Sequence, residues 1–307
     1  MPTCAFIGLG VMGYPMAGHL QGAGHQTTVY NRTIPKAEKW VEEHGGLLAT
    51  TPREAAEGAE IVMLCVGNDD DVRSVAYGES GVLEGMSPGS VLVDHTTASA
   101  FLAKELEEVC EARGIGFIDA PISGGQAGAE SGQLSVMCGG SEETFLKIQP
   151  TIDVYSKISI LIGPSGHGQL TKMVNQVCIG GLLQGLSEAL EFARRSNLDT
   201  EKVLQAISQG ASASWYLSNR SETMLDRHFD HGFAVDWMRK DFSIVFEEAE
   251  RIGFELPLTS LLDQFFAELQ EKGHSRSDVS SLIELSLIHI SEPTRPLYIS
   301  YAVFCLK

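Results

Sequence analysis

An apolar run, Cys4 to Ile7, ends at Gly8, and Gly10 and Gly13 follow before a helical pattern begins. This spacing constrains the fold more than anything else in the chain. Gly8 lets the backbone turn sharply out of a strand. Gly10 leaves the main chain bare, so that a pyrophosphate can approach it. Gly13 lets the following helix lie close on the sheet. The helix N-terminus then offers unpaired N–H groups and a partial positive charge to the phosphates. Among 32 glycines the spacing alone would carry little; a strand before it and a helix after it give it weight. The expected dinucleotide-binding stretch is Gly8, Leu9, Gly10, Val11, Met12 and Gly13.

The next strand pattern, at 26–30, ends in Asn31-Arg32-Thr33. A site for NAD(H) commonly has Asp or Glu here, to bind both ribose hydroxyls. A neutral side chain followed by a cation suits a 2′-phosphate instead, which Arg32 can grip through charge-assisted hydrogen bonds. The reading is NADP(H) in preference to NAD(H), with Lys36 assisting; the alternative is that Arg32 is a solvated loop residue.

Composition limits the partners. The 307 residues allow one large or two ordinary domains. With 40 acidic against 22 basic residues the net charge is −18, which repels nucleic acid and anionic membranes. The six cysteines are scattered without a Cys-x-x-Cys pair, and most lie in apolar runs, so buried free thiols are expected. The start, MPTCAFIG, runs straight into a strand pattern with no secretory leader, and no apolar run has membrane-spanning length. A cytoplasmic location is expected.

Up to about residue 162, short apolar runs alternate with helical patterns. Strands are expected at 4–7, 26–30, 61–66, 91–94, 116–119, 134–138 and 158–162, and helices at 12–21, 35–43, 70–77, 98–113 and 142–149. Such alternation implies an α/β fold, a mainly parallel, doubly wound sheet with helices on both faces. From Gly168 onward the pattern is helical, at 169–196, 199–209, 221–227, 241–252 and 258–272. The organisation expected is a Rossmann-type domain over 1–163 and an all-helical domain over 164–285. The helix at 169–196 has apolar residues on more than one face and glycines at 180, 181 and 185, so it is expected to be buried, with another backbone close by. An exposed apolar face elsewhere among these helices would call for a homodimer or homotetramer.

Three further segments carry chemistry. Asp94-His-Thr-Thr97 ends a strand, as does Val66 in the run before it, and the C-terminal ends of parallel strands face the ligand crevice. Thr96 or Thr97 is positioned for the nicotinamide or its ribose; Thr97 or Ser99 equally suits a helix cap. Ser123-Gly124-Gly125, in the run DAPISGG, offers a hydroxyl and unshielded N–H groups that suit a carboxylate, although a Ser-Gly-Gly by itself is more often a turn. In GHGQLTKMVN, Lys172 and Asn175 share a helix face. A lysine in the first turn of an apolar helix opposes the helix dipole, which turns the reading from a surface lysine toward a functional one.

Together GLGVMG, GHQTTVYNRT, DAPISGG, GHGQLTKMVNQ and Trp237-Met-Arg-Lys-Asp241 resemble the β-hydroxyacid dehydrogenase family, over roughly residues 3 to 285. That family includes 3-hydroxyisobutyrate dehydrogenases, tartronate semialdehyde reductases and glyoxylate/succinic semialdehyde reductases. The resemblance implies hydride transfer between a nicotinamide and a small β-hydroxy acid or its semialdehyde. It implies Lys172 as general acid/base, Asn175 and Ser123-Gly124-Gly125 as holders of the small carboxylate substrate, Thr96 as a cofactor contact, and Lys240 as a residue closing over the nicotinamide. No metal is implied, and His167 is not read as the base. Trp215, Tyr216, Phe233 and Trp237 line a compact site or belong to the core. The alternatives are an imine reductase, whose usual lack of the lysine argues against it, and a non-catalytic NADP-binding scaffold. Residues 286–307 do not continue the family pattern and are read as a non-native tail, with 298–306 an aggregation-prone stretch.

Overall fold

The computed structural model describes residues 1–286. Of the tail, only Ser286 falls among these, and it is buried; the readings for the rest, the stretch 298–306 included, lie outside the described residues.

Among the described residues nine strands form one sheet: β1 Cys4–Ile7, β2 Thr27–Tyr30, β3 Leu47–Leu48, β4 Ile61–Leu64, β5 Val91–Asp94, β6 Gly116–Asp119, β7 Ile122–Ser123, β8 Leu134–Gly140 and β9 Ser156–Gly163. Their order is β3-β2-β1-β4-β5-β6-β8-β7, with β9 against β8. The first six are parallel and in the Rossmann order. The antiparallel pairing of β6 and β7 with β8 departs from the parallel pattern. Strands β1, β4 and β5 are buried end to end, because helices cover both faces and leave no polar side to alternate with. One core packs Phe6, Met16 and Trp40 on one face, the other Ile7, Leu64 and Leu106 on the opposite face.

From His167 on the described chain is helical: His167–Arg195, Thr200–Ile207, Trp215–Leu225, Val235–Ile252 and Pro257–Glu271, with a short 3-10 turn at Val279–Leu282. Two of these helices start six residues earlier than their apolar patterns predict. Ser214 accepts the N–H of Leu217 and so caps one of them ahead of its periodic stretch. At the other, Val235 is already buried in a core with Leu183, Met238 and Phe242. That earlier start puts Trp237 and Lys240 on a helix. The helix Gly125–Glu130 and the strands β3 and β7 are too short to show a periodicity.

The long helix His167–Arg195 corrects one expectation. Its apolar faces are not all covered by the described residues, since Val174, Leu182 and Phe192 stand exposed. At Gly180 and Gly181 the nearest approach comes from side chains rather than a backbone. A methyl on Gly180 would meet the Phe242 ring at 2.8 Å, while Gly185 faces open space.

Candidate active site

Ile7, Leu64, Asp94 and Asp119 are in register across β1, β4, β5 and β6. The segments that follow them therefore leave the sheet side by side, along the edge where parallel α/β sheets bind ligands. These segments are the glycine loop, Cys65 to Gly67, His95 to Thr97 and Ala120 to Gly125.

At the glycine loop the three positions differ in their surroundings. Gly8 has φ +98°, and a side chain on it would strike the Cys65 carbonyl. One on Gly13 would strike the Gly8 carbonyl and the Phe6 ring. Gly10 has nothing within 4 Å of where a Cβ would stand, so its backbone faces open space, beside the start of the helix Gly13–Gly22. Leu9 is buried and Val11 exposed; Met12 precedes the helix without a side-chain cap, so the first N–H groups have no side-chain partner there. Asn31 braces the loop: its Oδ1 accepts the Leu9 N–H at 3.0 Å and its Nδ2 donates to the Thr33 carbonyl at 3.1 Å. Arg32 reaches into solvent with its side chain 88 % exposed, 3.5 Å from Asp71. An open backbone at Gly10, a bare helix start and an extended guanidinium fit a dinucleotide.

Thr96 and Val66 are brought together, the Thr96 hydroxyl accepting the Val66 N–H at 3.1 Å. Ser99, not Thr97, caps the following helix by accepting the Leu102 N–H. The helical part closes over this edge in three places. Lys240 Nζ donates to the Thr97 carbonyl at 2.6 Å and lies 2.7 Å from Asp241 Oδ1. Trp237 lies 3.4 Å from the Cβ position of Gly67, and Gly232 faces Val11 and Gln126. Of the other aromatics, Tyr216 and Phe233 pack into the helical core, while Trp215 lies exposed under Arg220.

Lys172 is buried, and its Nζ donates to the Ile122 carbonyl at 2.9 Å. Burial pushes its pKa down to about 8; Asp241 draws it up and Lys240 pushes it further down. Beside it runs a polar chain. Ser123 Oγ lies 3.5 Å from Asn175 Oδ1, Asn175 Nδ2 donates to Gln176 at 2.8 Å, and Gln176 Nε2 donates to Asp241 Oδ2 at 2.6 Å. Gly124 and Gly125 follow Ser123 with φ +138° and +62°, and nothing stands within 4 Å of a Cβ on Gly125. Asp119 is wholly buried; burial pushes its carboxyl up to about 6, restrained by the N–H groups of Gly166 and Gln169. Gln169, Gln176 and the structural part of Asp119 were not singled out from the sequence. The spacing of 169, 172 and 176, one helix face, was the available signal. Among the described residues no group of three or more His, Cys, Asp or Glu stands where it could hold a metal ion, and no helix is long and apolar enough to cross a membrane.

Fold and site thus define a two-part nicotinamide oxidoreductase, and comparison with known proteins supplies the family. Residues 3–163 match the NAD binding domain of 6-phosphogluconate dehydrogenase, and residues 166–286 match the NAD-binding family of NADP-dependent 3-hydroxyisobutyrate dehydrogenase. An uncharacterized oxidoreductase of Shewanella frigidimarina is 55% identical over 92% of this chain and 97% of its own. The 2-hydroxy-3-oxopropionate reductase of Escherichia coli is 33% identical over 91% and 95%. Among solved structures, Mycobacterium tuberculosis 3-hydroxyisobutyrate dehydrogenase with L-serine superposes with a TM-score of 0.83 at 27% identity, covering 93% of this chain and 99% of that one. The chain belongs to the β-hydroxyacid dehydrogenase family, and is an NAD(P)-dependent oxidoreductase acting on hydroxyl groups.

Proposed function

We propose that the protein interconverts a small β-hydroxy acid and its semialdehyde with NADP(H) in preference to NAD(H), using Lys172 as the general acid/base. The observation that carries this is Lys172 itself. It is buried at the ligand edge of the sheet, with a pKa near 8 and with Asn175 and Ser123 beside it. When bound, the nicotinamide supplies or takes the hydride. Protonated Lys172 gives a proton to the forming alkoxide in reduction, and neutral Lys172 takes one in oxidation. The Ser123 hydroxyl, the N–H groups of Gly124 and Gly125, and the Asn175 amide hold the substrate carboxylate. Gly8 to Gly13, Asn31 to Thr33, Val66, Thr96 and Lys240 hold the cofactor, with Arg32 on the 2′-phosphate. Trp237 above Gly67 limits the space and favours a small substrate.

In this reading residues 1–163 bind the dinucleotide and 164–285 complete the substrate site. The exposed apolar side chains Val174, Leu182, Leu258 and Leu261 support assembly as a homodimer or homotetramer. The five described cysteines are unpaired, in keeping with a reducing cytoplasm.

The test is oxidation of NADPH and of NADH with glyoxylate, succinic semialdehyde, tartronate semialdehyde and methylmalonate semialdehyde. Turnover of at least one, faster with NADPH, is the expected result. Silence with all four and with the matching hydroxy acids, despite NADPH binding, would sink the reading and leave a binding protein.

A further inference from the structure

The start of the long helix His167–Arg195 is held by a single carboxylate. Asp119, at the end of β6, accepts the Gly166 N–H on Oδ1 at 2.7 Å and the Gln169 N–H on Oδ2 at 2.8 Å. Helix starts leave such N–H groups without intrahelical partners and carry positive charge, so a buried carboxylate satisfies both needs. The fit is tight on both sides. A side chain on Gly139 would collide with Oδ1, and one on Gly168 would come within 2.7 Å of Oδ2. Gly166 enters the helix at φ +90°, a left-handed conformation that glycine adopts without strain.

Gln169 makes the second connection. It is buried, and both ends of its amide are used: Nε2 donates to the Thr96 carbonyl at 2.7 Å and Oε1 accepts the Ala98 N–H at 3.0 Å. Lys172 lies three residues on, at the same helix face. Its Nζ meets the carbonyl of Ile122, three residues beyond Asp119. One strand-end segment therefore touches the helix twice, at its first N–H groups and at the ammonium, and Gln169 between them binds the loop at 96–98.

We infer that Asp119 and Gln169 are positioning residues, which fix the start of this helix so that Lys172 Nζ is held at the Ile122 carbonyl and kept from bulk water. The inference rests on Lys172 as the proton-transfer group. It separates from plain electrostatics by direction. Loss of the Asp119 charge would by itself push the Lys172 pKa lower still, whereas a loosened helix start admits water and lets it climb toward an ordinary lysine.

The experiment compares wild type, Asp119→Asn, Gln169→Met and Lys172→Ala. Asp119→Asn keeps one acceptor oxygen; Gln169→Met keeps the length and loses both bonds. Three quantities are read: NADPH affinity by fluorescence, kcat and KM with whichever of the four aldehydes is turned over, and the pH midpoint for labelling of Lys172 by an amine-reactive reagent, followed by peptide mass spectrometry. In both positioning variants kcat is expected to fall roughly 10- to 100-fold, with KM and NADPH affinity within about three-fold of wild type. The labelling midpoint is expected to rise by about one pH unit or more. If Asp119→Asn does not fold, Gln169→Met decides. Wild-type kcat and labelling in Gln169→Met, or a loss of activity that tracks lost NADPH binding, would overturn the inference. Full turnover by Lys172→Ala would instead overturn the role of the lysine, and the labelling midpoints would still report on the positioning.

Discussion

Lys172 is placed against its own stability. A folded-state pKa near 8, below that of an ordinary lysine, means that folding disfavours the protonated form. The resulting penalty is fully present below pH 8 and fades as the pH rises toward the unfolded-state value. Lys172→Met is therefore expected to raise the unfolding free energy at pH 7 by on the order of 2 kcal/mol, read by denaturant titration, while removing activity. Lys172→Ala should lower kcat by roughly 10²- to 10⁴-fold and leave NADPH binding nearly unchanged. The same pKa sets the sign of the pH dependence. In the proposed mechanism reduction needs the proton on Lys172 and should slow as pH rises through about 8, whereas oxidation needs the neutral amine and should quicken over that range. Profiles that run the other way would exclude Lys172 as the group that titrates. At the proposed cofactor end, Arg32 is exposed and pairs only loosely with Asp71, which leaves its charge open to a phosphate. Arg32→Asp should reduce kcat/KM for NADPH by about ten-fold or more and change that for NADH little; equal losses with both would show that Arg32 does not read the 2′-phosphate.

At the scale of elements, the first strand, glycine turn and helix divide one motif between folding and binding. Gly13 is needed for packing, since any side chain there meets the Gly8 carbonyl, whereas Gly10 faces open space. Gly13→Ala is expected to destabilise the protein by about 2 kcal/mol or more. Gly10→Ala should leave the thermal midpoint within about 2 °C and weaken NADPH binding at least roughly ten-fold. Calorimetric unfolding and a binding titration on the two variants separate these outcomes; equal effects would mean that the pyrophosphate does not cross Gly10. This motif was legible because each glycine has a local reason. The helix Val235–Ile252 was not legible from its start, because Val235 and Met238 are buried in a core with Leu183 and Phe266, residues distant in the chain. The clamp of Asp119 on Gly166 and Gln169 was hidden for the same reason: a strand end and a helix start 47 residues apart carry no shared pattern.

At the scale of the whole molecule, the acidic surface and the exposed apolar side chains act in opposite directions. A net charge of −18 keeps copies apart in general, while Leu182 on the long helix stands uncovered, as does Leu258 on the helix Pro257–Glu271, whose Cδ2 lies 3.9 Å from the Cβ position of Gly181 on the long helix. Light scattering on the purified protein is expected to give two or four chains, and Leu182→Glu to shift the population toward the monomer. A monomeric wild type would show that these side chains are simply exposed.

The sequence by itself determined the α/β class, the turn at Gly8, the openness of Gly10 and the pairing of Lys172 with Asn175 on one helix face. In each case the signal lies within a few residues, so periodicity and local backbone freedom record it. Only the tertiary structure decided that Lys172 is buried, which draws its pKa down to about 8, that its helix begins on Asp119, and that Trp237 and Lys240 come down over the edge of the sheet. Those facts depend on desolvation and on partners from remote strands, and desolvation is a property of the assembled surroundings rather than of any stretch of chain.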